Sequence, residues 1–112
     1  MTTSPKLGVI NREWVVEVFA STPFAAGKAT FNSVRKTVVS EAYFLNGIVA
    51  GTAIGYASVL AHDRSIPDQG TIGATLAATL APQQFQAAFM GVNGGTVGGS
   101  IITQAVFLIR GR

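Results

Sequence analysis

Residues 85–109 read FQAAFMGVNGGTVGGSIITQAVFLI. Two apolar runs, Phe85–Val92 and Ile101–Ile109, flank a stretch, Gly91 to Gly99, in which five of nine residues are glycine. A glycine in a helix interior costs about 1 kcal/mol relative to alanine. The glycine stretch is therefore turn chemistry, and the runs beside it are predicted strands. In the second run Ile101, Thr103, Ala105, Phe107 and Ile109 would share one face, and Ile102, Gln104, Val106 and Leu108 the other. Both faces are largely apolar, so this strand is expected to be covered on both sides.

The same question, strand or helix, arises at residues 42–61, where no side chain is charged. Such a run is long enough to span a bilayer. Gly47, Gly51 and Gly55 give it the G-x-x-x-G spacing that brings helices close in lipid. Asn46, Thr52, Tyr56 and Ser58 dilute it, however, and the mean hydropathy of the chain is only +0.42. No Lys/Arg cluster on one side sets an orientation. The balance goes against a membrane. A membrane-embedded helical assembly protein, pilin- or holin-like, with 42–61 across the bilayer, is the alternative.

The rest of the chain continues the strand-and-turn pattern. Trp14–Phe19 is β-branched and aromatic and is followed by Pro23 and by Ala26-Gly27. Ala29–Val34 alternates, and Thr37–Val39 resumes after Arg35-Lys36. Ala42–Val49 reads as a strand with Asn46-Gly47 as a turn or bulge. Gly51–Gly55 reads as a connection, and Tyr56–Ala61 as a strand. Residues 62–70 form the most polar loop. Residues 71–80 mix helix-favouring Ala and Leu with Thr and Gly and fit strand, helix or loop. The prediction is an all-β chain: one β-sandwich domain over residues 1–112, jelly-roll-like, with about seven short strands. Residues 1–10 are expected to be a loose arm.

The charge content narrows the function. Only 12% of the 112 residues are charged, and the net charge is +3. A soluble domain carries about twice that fraction, so this protomer is expected to bury much of its surface in an assembly. The basic residues are scattered, without the stripe of a nucleic-acid binder, and no specific nucleic acid is expected as a partner. There is no cysteine, hence no disulfide framework and no thiolate metal site. Residues 1–6 lack a signal-peptide pattern, so synthesis in the host cytoplasm is expected.

Site chemistry is sparse. The single histidine, His62, neighbours Asp63 and Arg64 and has no partners for a triad. Asp63 and Asp68 could hold a hard cation only weakly. Glu13 and Glu17 share a face without further ligands. The Gly94–Gly99 stretch has no following Lys and does not match a P-loop. No catalytic residue, cofactor site or metal site is assigned, and an enzyme is not expected. A third possibility, a carbohydrate-binding tip, would use Trp14, Tyr43 or Tyr56.

Residues 48–60, IVAGTAIGYASVL, resemble a segment of small β-sandwich proteins encoded among phage structural genes. In that pattern V-x-G-x-A-(L/I)-G-D leads into a V-x-V strand; Tyr56 stands at the Asp position. The closing part of the pattern is similar to Phe85–Val92, Asn93–Val97 and Ala105–Ile109. The likeness runs from residue 29 to residue 109. It implies a virion component of the decoration, minor-capsid or spike-like kind, located in the virion. Its partners would be copies of itself and other capsid proteins. The large side chains of the closing strands, Phe85, Phe89, Phe107 and Ile109, with Arg110 at their end, are the candidate interface residues.

Overall fold

Seven β-strands and no helix make up residues 14–61, 65–66 and 80–112, which the computed structural model describes. The strands are β1 (Trp14–Pro23), β2 (Lys28–Asn32), β3 (Val39–Val49), β4 (Thr52–Ala61), β5 (Ser65–Ile66), β6 (Gln84–Gly91) and β7 (Ile101–Gly111). All pairings are antiparallel, in the order β1-β7-β3-β4-β6-β2, with the short β5 beside β4. The all-β class is as the sequence predicts. The strands form one continuous curled sheet, a half-barrel, and not two separate sheets.

The curl is sharpest between β3 and β4. These strands pair only at Ile48–Ala53 and Val49–Thr52, next to their turn. Beyond that point the sheet opens into two leaves, β1-β7-β3 and β4-β6-β2, which face each other. All seven phenylalanines of the chain lie in the space between. Phe31 and Phe85 sit opposite each other in the β2–β6 register and stack at 5.2 Å. Phe107 from the other leaf closes on them at 5.0 and 4.9 Å. Aromatic edge-to-face contacts at such separations add to the area term of burial.

Residues 42–61 are strands β3 and β4 joined at Ala50-Gly51, not a helix. The reason is local. Gly51 (φ 78°) and Ala50 (φ 50°) both take left-handed backbone angles, as a two-residue type I′ hairpin turn requires. Among the described residues no helix is long and apolar enough to cross a membrane. The turn thus takes in only the first residue of the segment Gly51–Gly55 that the sequence suggested as a connection, and Thr52–Gly55 belongs to β4. Gly55 is the bulge residue of β4 against β6. A Cβ there would meet the Val92 Cα at 2.6 Å and the Gly91 carbonyl at 2.8 Å. Asn46-Gly47, read from the sequence as a turn or bulge, is regularly paired with β7; the bulge lies just before it, between Phe44 and Asn46, with Leu45 as the extra residue. The expectations for residues 1–10, His62–Arg64, Asp68 and 71–79 lie outside the described residues.

A bulge also changes the reading of β7. Strict alternation would put Ile101 with Ala105 and Phe107. The register against β3 shifts at Thr103, between Ile48–Gln104 and Val49–Ile102. Ile102 therefore joins Ala105, Phe107 and Ile109 in the core, while Ile101 is exposed. Opposite Thr103, Ser21 on β1 adopts φ 49°, so both strands distort at the same level.

Candidate interaction surface

The convex side of the curled sheet has two faces, one for each leaf, and they differ in chemistry. On β4-β6-β2 the outward positions include Lys28, Thr30, Asn32, Ser58, Gln84 and Gln86. They are hydroxyls, amides and a cation, and Gln86 Nε2 donates to Thr30 Oγ1 at 3.0 Å. Tyr56, Leu60, Ala88 and Met90 share these positions, and Gln86 and Ala88 are buried, so this face is mixed in chemistry and covered at its middle.

On β1-β7-β3 the outward rows are apolar. The register sets Val16, Leu108 and Tyr43 side by side, and Val18, Val106 and Asn46 in the next row. The Leu45 bulge adds one more apolar side chain to this face, since Leu45 and Asn46 are both exposed. Val16, Val18, Tyr43, Leu45 and Ile48 are 40–55% exposed. An exposed leucine alone means little, but a contiguous apolar patch marks an interaction surface.

Charge is confined to one end of the face. Arg110 lies 3.6 Å from the Glu41 carboxylate and stacks 5.6 Å above the Trp14 ring. Trp14 and Tyr43 are 5.8 Å apart, with their planes tilted by 36°. The row Trp14–Arg110–Glu41 is thus internally neutralised.

The outer edge of β1 is blunted. Glu17 points inward, between β1 and the turn after β2. Ser33 Oγ donates to its carboxylate at 2.7 Å, and the Val34 N–H donates at 2.8 Å. Ser33 Oγ in turn accepts from the Lys36 and Arg35 amides at 3.0 and 3.2 Å. Arg35 Nη1 reaches over to the Val16 carbonyl at 3.3 Å. Inward charges and covered edge groups are devices that stop edge-to-edge pairing.

Of the residues the sequence nominated for an interface, Phe85, Phe89, Phe107 and Ile109 are at most 3% exposed and form the chain's own core. That corrects their assignment: no partner reaches them, because the facing leaf already covers them. Arg110 does lie on the outer apolar face. Trp14 and Tyr43 lie there too, while Tyr56 is half-buried on the other leaf. The reading missed Val16, Val18, Leu45, Val106 and Leu108. The signal was present in the doubly apolar alternation of β7, whose second face is this surface.

For chemistry beyond binding, the described residues offer little. Among them no three His, Cys, Asp or Glu side chains gather into a metal site. A shallow cleft between the β1–β2 turn and the loop after β6 is lined by Phe24, Gly27, Phe89, Met90, Gly95 and Val97, with no titratable side chain. No protein-family model, curated protein or solved structure matches this chain.

Proposed function

We propose that this chain is a structural protein of a phage virion, of the decoration or minor-capsid kind. It self-associates and seats on other capsid subunits through charge-poor apolar surface. The observation that carries the reading is the outer face of β1-β7-β3, where Val16, Val18, Tyr43 and Leu45 stand open to solvent. A chain with 12% charged residues has little with which to keep such a face in water as a monomer. The likeness of residues 29–109 to phage β-sandwich proteins supports the same reading. The finer architecture of that family, a jelly-roll-like sandwich, is part of the proposal; two facing leaves around one aromatic core are what support it.

Light scattering at micromolar concentration, combined with co-sedimentation on capsids of the encoding phage, tests this function. Association and co-sedimentation are expected. A stable monomer that stays in the supernatant would rule it out.

A further inference from the structure

We infer that the outer face of β1-β7-β3 docks on the same face of a second copy of this chain. The two copies are related by a two-fold axis near Val106 and Leu108, on the central strand of the leaf. The inference rests on the self-association in the proposed function and names its surface and partner.

Four observations select this occupant. The face is neutral: its one described ion pair, Arg110–Glu41, is satisfied within the chain, so two identical faces meet without like-charge repulsion. Its size is suitable. The exposed fractions of Val16, Val18, Tyr43, Leu45 and Ile48, with half-buried Trp14, Val106 and Leu108, if buried completely, amount to on the order of 600 Å² per protomer, the lower end of the range of about 600–1,000 Å² that a stable interface takes from each partner. Its shape is suitable as well. Sheets pack face to face, about 30° apart, when their twists match, and two copies have the same twist by identity. Finally, the edge is guarded by Glu17 and Arg35 while the face is not, which directs association to the face.

The chain contains no cysteine, so one introduced thiol can form a disulfide only between molecules. Val106→Cys, near the proposed axis, is expected to give a covalent dimer quickly on mild oxidation. Asn32→Cys, on the outer face of β2 in the opposite leaf, is expected to cross-link many-fold more slowly. The wild-type chain is expected to sediment as a dimer. The double variant Val16→Lys/Val18→Lys is expected to sediment as a monomer with an unchanged far-UV spectrum, its dissociation constant raised roughly a hundredfold or more. Equal cross-linking of the two thiol variants, or a wild-type monomer at micromolar concentration, would overturn the inference. So would a wild-type chain that floats with lipid vesicles as a monomer. Should the lysine variant lose its fold, the cross-linking comparison decides alone. Capsid co-sedimentation separates the two proposals: a dimer that ignores capsids sinks the virion role and leaves the face-to-face dimer standing, and a monomer that binds capsids does the reverse.

Discussion

Glu17 shows what a single residue contributes. Its carboxylate is buried on the concave side, yet it is fully engaged: Ser33 Oγ and the Val34 amide both donate to it. The contact fastens β1 to the turn after β2, the two ends of the sheet order, where no strand pairing joins them. Removing an acceptor from buried donors costs about 1–3 kcal/mol for each donor left unsatisfied. Glu17→Ala is therefore expected to lower stability by about 2–4 kcal/mol in urea titration, and Ser33→Ala by a comparable amount, since it takes the acceptor from the Lys36 and Arg35 amides. An unchanged midpoint in Glu17→Ala would show that the clasp does not work through the carboxylate. Gly55 makes the complementary case. Gly55→Ala puts a methyl within 2.6 Å of the Val92 backbone, and a backbone contact cannot swing aside. Overpacking of this kind costs about 1–3 kcal/mol. Gly95→Ala adds a methyl with no neighbour within 4 Å and is expected to leave the midpoint nearly unchanged. Neither position is distinguishable in the sequence, where both are one glycine among 13.

At the scale of the elements, strands were legible and their irregularities were not. Runs such as Trp14–Phe19, Phe85–Val92 and Ile101–Ile109 carry enough β-branched and aromatic residues to be read directly, because a pleated, half-buried surface selects those shapes. Bulges leave no such mark. Thr103 looks like any strand residue, but its shift inverts Ile101 and Ile102 relative to strict alternation. The division between core and interface was illegible for the same reason: alternation shows that both faces of β7 are apolar, not which of them the other leaf covers. The turns fall in between. Ala26-Gly27 and Ala50-Gly51 both place an alanine at positive φ, 54° and 50°. Left-handed angles cost an L-residue roughly 1–2 kcal/mol, and Asn tolerates them better than Ala does. Ala26→Asn and Ala50→Asn are each expected to stabilise the chain by about 0.5–1 kcal/mol, a rise of several degrees in Tm. Ala53→Asn, at an exposed strand position past the turn, is expected to give no gain. A gain at all three positions would mean that the effect comes from surface polarity and not from the turns.

For the whole molecule the question is what couples the two leaves. Backbone hydrogen bonding is a weak candidate, since β3 and β4 pair at only two positions beside their turn. The aromatic core is the stronger one. Phe107 of β7 lies 4.9–6.4 Å from the rings of Phe19, Phe31, Phe44, Phe85 and Phe89, and so touches both leaves. Phe24 touches the cluster only through Phe89, at 6.0 Å, near the mouth. Truncating a core Phe to Ala costs about 3–5 kcal/mol, and the cost rises with the cavity left behind. A domain of this size has about 5–15 kcal/mol in total. Phe107→Ala should therefore consume much of the stability, and Phe24→Ala distinctly less. The coupling itself is checked by comparing probes. Trp14 reports on the β1-β7-β3 leaf, and far-UV dichroism reports on both leaves. In the wild-type chain the two urea transitions are expected to coincide, as a single cooperative unit requires. In Phe107→Ala they should still coincide at a lower midpoint if the remaining rings bridge the leaves. Separate transitions already in the wild-type chain would mean that each leaf holds itself together, and that the phenylalanines fill the space between them without joining them.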